Sequence, residues 1–214
     1  VDGQTISLGD QADPDRQTIC VDGVPIQLSP VRNYLALHKP VGVLSTRRDP
    51  EGRATVMDLI PEELRRLVYP VGRLDYDAEG LLLLLDDGEL AHTIMHPRFE
   101  TPKTYHALVA GKVEPETLAH LRRGVLLEDG LTAPAQARAL ERHEGHSVLE
   151  LTIHEGRKRQ VKRMCEAVGH PVRRLQRVAM AGIKLGALQA GQWRRLSERE
   201  IEILQRTVRG EAAP

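Results

Sequence analysis

Apolar residues along the chain fall into short blocks separated by glycine, proline and charged residues. Tyr34-Leu35-Ala36-Leu37, Val41 to Ser45 and Leu81 to Leu85 read as strands, and Gly and Pro break the runs between them. Ser147 to Ile153 alternates apolar with polar positions, the period of a half-buried strand, and Tyr105 to Ala110 reads as another. Helical spacing takes over at Glu89 to Met95, through Leu90, Ile94 and Met95. Glu114 to Arg123 is predicted to be a helix stopped by Gly124, and Gln160 to Val168 a helix ending at Gly169. Thr55 to Leu59, followed by Pro61-Glu62-Glu63-Leu64, predicts a helix or turn, since proline suits a first helical turn. Leu188 to Leu196 and Glu198 to Arg206 complete the pattern as a strand-like stretch and a terminal helix. The first thirty residues predict short strands joined by Asp-Gly and Asp-Pro turns, and Gly210 to Pro214 a disordered tail. Strands mixed with helices, without a regular βαβ alternation, predict an α+β fold rather than a doubly wound parallel sheet.

Composition narrows this picture in two places. At 214 residues, with 41% hydrophobic and 28% charged, the chain can bury a proper core as one domain or two small ones, and no apolar run approaches a membrane span. Cys20 and Cys165 lie far apart without CxxC spacing, so neither a zinc site nor a disulfide framework is predicted and a cytoplasmic location is expected. The formal net charge is zero, which by itself argues against a nucleic-acid binder. The average hides an asymmetry, because Arg157, Lys158, Arg159, Lys162, Arg163, Arg173, Arg174 and Arg177 share a stretch whose only acid after Glu155 is Glu166. That is a local basic patch, or in the bland reading a solvated helix face.

The candidate chemistry sits in Gly72-Arg73-Leu74-Asp75-Tyr76-Asp77, directly ahead of the leucine run. A carboxylate there is either well paired or chemically employed, and a nucleophilic carboxylate can attack the anomeric carbon of a sugar and detach its base. Strand-like alternation puts Asp77 on the same face as Asp75, so a glycosidase-like pair, and with it a nucleoside or sugar hydrolase, stays open. His92 and His96 have the i, i+4 spacing of a helical metal pair, but the segment His-Thr-Ile-Met-His lacks the acid of HExxH and further ligands, so no metal is expected. The chain has no Walker loop and no GxGxxG opening a helix.

The order of Gly72 to Asp77, Gly80 to Leu85 with Asp87-Gly88-Glu89-Leu90, Lys103-Thr104-Tyr105, and Glu155-Gly156-Arg157-Lys158-Arg159-Gln160-Val161-Lys162-Arg163-Met164 resembles the RsuA family of pseudouridine synthases. These enzymes isomerise uridine in ribosomal RNA, and the resemblance runs from about residue 32 to 206. It implies a mixed, mainly antiparallel sheet with flanking helices and a central RNA-binding cleft, the catalytic domain spanning residues 31–209. Within residues 1–30, Ile6-Ser7-Leu8-Gly9-Asp10 and Ile19-Cys20-Val21-Asp22-Gly23 resemble the last strands of the family's S4-type RNA-binding domain. The basic S4 helices have no counterpart and the chain starts Val-Asp-Gly, so a truncated S4 domain is expected.

By the same resemblance Asp75 is the nucleophile, Tyr105 the residue that stacks on the target base, and Lys162 the cation that pairs with Asp75, with Arg163 its neighbouring rival. Arg73 holds Asp75 ionised or orients a phosphate, while Leu74 and Lys103 join the substrate-binding set. Arg157, Arg159 and Gln160 lead into a helix N-terminus suited to phosphate, and Leu185 packs under the base. Asp77 becomes a turn or capping acid. The implied isomerisation needs no cofactor and no metal. The implied partner is ribosomal RNA, with no membrane, and the implied enzyme is a monomer. Asp49-Pro50-Glu51-Gly52-Arg53 and the wording around Asp75 look most like members acting on large-subunit (23S) RNA. A small-subunit enzyme and a non-catalytic RNA-binding module on the same fold are the alternatives.

Overall fold

A computed structural model describes residues 1–7, 9–13, 16–26 and 32–209 of the chain. Contacts divide it into two compact units, Val1–Arg32 and Asn33–Pro214. In the first, strands β1 (Cys20–Val21) and β2 (Val24–Pro25) form a hairpin across Asp22 and Gly23. Both turn residues have positive φ, 51° and 77°, the geometry whose twist suits a two-residue hairpin. Ile6 to Asp10 departs from the predicted strand: the amide of Ser7 donates to Asp10 Oδ2 (2.8 Å) and the amide of Asp10 to the Ser7 carbonyl (3.1 Å), a turn closed by a local carboxylate, with Leu8 outside the described residues. The predicted tail at 210–214 also lies outside them.

The second unit carries strands β3 (Tyr34–Lys39), β4 (Tyr69–Val71), β5 (Glu79–Leu85), β6 (Lys103–Ala110), β7 (Leu126–Leu127), β8 (Gly130–Leu131), β9 (Gln136–His143), β10 (His146–Ile153), β11 (Val172–Met180), β12 (Ile183–Lys184) and β13 (Trp193–Arg195). Its helices are α1 (Glu62–Arg65), α2 (Gly88–Met95), α3 (Pro115–Arg123), α4 (Gln160–Ala167) and α5 (Glu198–Val208). A nine-stranded sheet runs β13-β3-β5-β11-β6-β10-β9, with β4 beside β5 and β12 beside β11. All its pairings are antiparallel except β5 with β11. The fold is α+β, with a mixed, mostly antiparallel sheet.

The unbroken leucine run has a physical reason. Strand β5 is central, and its residues alternate between two cores. Leu81, Leu83 and Leu85 pack with Leu90, Ile94 and Leu204 from α2 and α5, while Leu82 and Leu84 pack with Val56, Met57 and Leu64 on the other face. A third core gathers Tyr105, Ala107 and Val109 of β6, Leu149 and Leu151 of β10, Leu118 and Leu121 of α3, and Val161 and Met164 of α4. Gly124 and Gly169 follow α3 and α4 with φ of 102° and 86°, the positive φ at which helices stop.

Two strands escape the hydrophobic pattern. β11 carries Arg173, Arg174 and Arg177 and is bulged between Val172 and Arg174 and between Arg177 and Ala179, which removes the strict alternation. β9 lies at the sheet edge and is mostly exposed, so its sequence is largely polar. Two predicted strands shrink. Val41 to Ser45 forms a turn and a single bridge from Leu44 to Thr55, and of Leu188 to Leu196 only Trp193–Arg195 pairs with β3, because Gly186 and Gly191 turn the chain at positive φ.

Candidate active site

Asp75 lies in the segment joining β4 to β5, and that segment is held by groups outside the carboxylate itself. The Ser45 hydroxyl donates to the Leu74 carbonyl (3.0 Å) and accepts from the Leu74 amide (3.1 Å). The Ala78 amide donates to the Asp75 carbonyl (3.1 Å), closing the turn Asp75–Ala78, and the Gly42 amide donates to the Tyr76 carbonyl (2.8 Å). From inside, the fully buried Lys39 ammonium donates to the carbonyls of Ala78 (2.7 Å) and Pro40 (2.9 Å). Ser45→Ala removes both bonds to Leu74 and leaves its buried amide unpaired. A loss of about 1–3 kcal/mol of stability is expected, read by urea unfolding.

This turn forms part of a cleft of about 620 Å³ whose lining includes Leu74, Asp75, Lys103, Tyr105, Arg159 and Arg177. Alternation along β6 places Lys103 and Tyr105 on one face, and the β6–β11 register sets Arg177 opposite Tyr105. The Tyr105 ring is buried in the core below the cleft, and its hydroxyl makes no hydrogen bond among the described residues. Lys103 Nζ donates to the Thr101 carbonyl (2.9 Å), and burial pulls its ammonium down to about 8.

The cations of α4 are arranged differently from the sequence expectation. Lys162 Nζ meets Asp77 Oδ1 at 2.6 Å instead of pairing with Asp75. Arg159 reaches Asp77 Oδ1 at 3.3 Å and Asp75 Oδ2 at 4.0 Å, and is thus the cation nearest the Asp75 carboxylate. The reason is helical geometry: Arg159 precedes α4 with a left-handed φ of 52°, and Lys162 stands three residues on, facing the same turn. Asp77 is in the turn, as expected, and its carboxyl is held below the usual range, first by the hydrogen bond from Lys162.

Three further residues assigned to substrate are occupied within the protein. Arg157 donates to the carbonyls of Asp129 (3.3 Å), Gly130 (3.0 Å) and Leu131 (2.7 Å) and to Glu155 (3.1 Å), locking the β7–β8 hairpin against the segment before α4. Arg163 makes a two-pronged pair with Asp129 (2.9 and 3.0 Å), on a different side of the helix from Lys162. The Gln160 side chain is buried against Glu155 and accepts from the Arg157 amide. Leu185 is corrected too: it packs in the core of α2 and α5, and the apolar lining of the cleft comes from Leu74, Leu175 and Met180 among others. Arg73 and Lys158 line the cleft, exposed and without a partner among the described residues.

His96 accepts from the Arg98 amide through Nδ1 (3.2 Å) and tilts against His92, and no cluster of three or more His, Cys, Asp and Glu occurs among the described residues. Cys165 is buried and its thiol is pushed up to about 12, so it is no nucleophile. Among the described residues no helix is long and apolar enough to cross a membrane.

Sequence reasoning missed Ser45, Lys39 and, as a cleft residue, Arg177. The one available signal was Lys39 itself, a charge closing an otherwise apolar strand. Its burial brings a pH signature. Burial lowers Lys39 from an ordinary 10.5 to about 8, against the opposing pull of Asp75, Asp77 and Glu79. The native state therefore releases this proton before the unfolded chain does. Between about pH 8 and 10.5 the unfolded chain binds more protons, and this group makes stability rise with pH. Lys39→Met is expected to lower the slope of unfolding free energy against pH in that window, measured in urea at pH 8 and 10, and an unchanged slope would contradict the buried charge.

The family model described as RNA pseudouridylate synthase matches residues 33–167. The chain belongs to that family. It is 46% identical over 211 residues, 97% of this chain and 84% of the other, to an RNA pseudouridine synthase of Aquifex aeolicus whose name calls it uncharacterized. It is 47% identical over 173 residues, 80% of this chain and 70% of the other, to ribosomal large subunit pseudouridine synthase B of Bacillus subtilis. A crystal structure of a pseudouridylate synthase superposes with a TM-score of 0.76 at 32% identity, covering 95% of this chain and 86% of that one. The family match ends with the last residue of α4, Ala167, so it contains Asp75, Tyr105 and Lys162, while Arg177 and all of β11 lie beyond it.

Proposed function

We propose that this chain isomerises a uridine of ribosomal RNA to pseudouridine, with Asp75 as the nucleophile. The observation that carries the reading is the Asp75 carboxylate, presented in the same cleft as Tyr105 by a turn that Ser45 and Lys39 hold through the backbone. The carboxylate is one-third exposed and its nearest cation, Arg159, stands 4.0 Å away, far enough to leave its oxygens available.

A uridine lifted from its stack enters the cleft and its base lies on the Tyr105 ring. Asp75 drives scission of the bond between N1 and C1′, the base turns within the cleft, and C5 bonds to C1′. Arg73 and Lys158 at the exposed edge hold the flanking phosphates. Large-subunit RNA is the favoured substrate, supported by the relatives of Bacillus subtilis and Yersinia pestis that are named for the large subunit. The test is incubation with large- and small-subunit ribosomal RNA transcripts, digestion to nucleosides and chromatography. Pseudouridine from the large-subunit transcript, with no free uracil, is expected; free uracil would show a hydrolase, and unaltered uridine in both RNAs a binding module.

A further inference from the structure

Several cations in and beside the cleft have found an acid, while Arg73 and Lys158 stand exposed at its edge. Lys162 and Arg159 are on Asp77, Arg163 is on Asp129, Arg157 on Glu155 and Arg174 on Glu79. Lys103 and Arg177 have not: no carboxylate comes within ion-pair distance of either among the described residues. Arg177 is 2% exposed, its Nε donates to the Leu81 carbonyl at 2.8 Å, and its Nη2 is buried with no hydrogen-bond partner. The adjoining Thr101 Oγ1 is also buried and unpaired, while the Thr101 carbonyl takes the Lys103 ammonium. Two like charges on neighbouring strands, one buried and one half-buried, with a donor left over, cost folding free energy, and a negative charge arriving beside them would be held strongly.

Their place says which charge. Lys103 stands two residues from Tyr105 on the same face of β6, Arg177 is opposite Tyr105 on β11, and all three line the cleft that Asp75 enters. The aromatic neighbour belongs to a base-binding wall. Phosphate is a poorer occupant, being permanently charged, strongly hydrated and already provided for by the exposed Arg73 and Lys158.

We infer that Lys103 and Arg177 form the seat for the negative charge that uracil bears while detached from ribose, Lys103 touching a carbonyl oxygen of the base and Arg177 positioning that contact from behind. The inference rests on the isomerase reading above. As an Asp75 oxygen bonds to C1′ the C1′–N1 bond breaks, its electron pair leaves with N1, and the resulting anion is shared with the two carbonyl oxygens. Reattachment uses the C5–C6 π pair to form C1′–C5 while the bond from C1′ to Asp75 breaks and returns its pair to the carboxylate; the C5 proton is then lost and N1 gains one, so no mass changes and no oxidant or reductant enters. Donors fixed where charge develops stabilise that intermediate without reorganising.

The test varies the leaving group. Large-subunit ribosomal RNA transcripts are made with uridine or with 5-fluorouridine, whose fluorine already stabilises the detached anion and stays on C5 of the C-glycoside, where, with no C5 proton to lose, the N1=C6 bond takes up water. Single-turnover formation of the C-glycoside is followed by chromatography of nuclease digests, for the wild type, Lys103→Met, Arg177→Met and the charge-keeping Lys103→Arg and Arg177→Lys, with thermal midpoints and RNA affinity measured alongside. Lys103→Met is expected to lose about 10²–10³-fold on uridine RNA. It should lose at least tenfold less on fluorinated RNA at unchanged RNA affinity, and Lys103→Arg should recover most of the uridine rate. Arg177→Met, or Arg177→Lys should the former not fold, is expected to show the same leaving-group dependence. Equal losses on both RNAs in folded variants, or no loss, would overturn the inference while leaving the isomerase reading intact. A wild type that forms no C-glycoside on either RNA would overturn both.

Discussion

Asp75→Asn is expected to leave a folded protein that binds ribosomal RNA and isomerises none of it. No hydrogen bond that holds the turn runs through this carboxylate, and its pull on the buried Lys39 ammonium is shared with Asp77 and Glu79. The turn is closed by the Ala78 amide and braced by Ser45 and Lys39 through backbone atoms, and the one ion contact, to Arg159 at 4.0 Å, is long and partly exposed. Losing such a pair costs at most about 1 kcal/mol. Losing the nucleophile, by contrast, removes the step itself, and a fall of roughly 10⁴-fold or more in single-turnover rate is expected. The matched control is Asp77→Asn. It strips Lys162, whose side chain is 12% exposed, of its 2.6 Å partner, so it should lower the thermal midpoint more than Asp75→Asn while keeping far more activity. If both variants lost activity equally with intact folds, the two acids would act as a pair, in the manner of a glycosidase.

Gly80→Ala is expected to be the most damaging small substitution in the molecule. Gly80 sits where β5 and β11 run parallel, opposite Arg177, with φ of 113°. An added Cβ would stand 2.3 Å from the Arg177 carbonyl oxygen and 2.5 Å from its amide nitrogen, and both are backbone atoms in the middle of a sheet. Overpacking and the disfavoured φ together argue for a loss of about 3 kcal/mol or more. The strands can relieve the clash only by separating, which would also shift the segment carrying Asp75 and the Arg177 side chain. Urea unfolding should show a lower midpoint, and activity should fall even at temperatures where the variant stays folded; an unfolding free energy within about 0.5 kcal/mol of wild type would refute the close approach.

These two sites mark what the sequence reveals and what it hides. Leu81 to Leu85 announces a buried strand because each face of β5 meets a core, and Gly124 and Gly169 announce helix ends because they take positive φ. Asp75 stands out because a carboxylate directly before such a strand has little structural use. Arg177 does not stand out, since an arginine in an arginine-rich strand looks like surface until burial is known, and bulges in β11 erase the alternation that would give the strand away. The partner of Lys162 was equally hidden: Asp75 and Asp77 differ by two positions, and only the backbone of the Asp75–Ala78 turn decides which carboxylate faces α4. Arg157 reads as leading into a phosphate-binding helix N-terminus and Arg163 as the rival of Lys162 for Asp75, yet the β7–β8 hairpin offers both nearer acceptors, which no local pattern reports. Fewer of the patch's cations are unpaired than its sequence promises: Lys158 and Arg173 are exposed and without a partner among the described residues, as is Arg73 outside the patch.

The most direct test of the account is tritium release from ribosomal RNA transcripts labelled at C5 of uridine, with the wild type and Asp75→Asn run side by side on large- and small-subunit RNA. The account predicts stoichiometric release by the wild type from one site of the large-subunit RNA and none by the variant. Release by the variant at the wild-type rate would contradict it, taking Asp75 out of the mechanism.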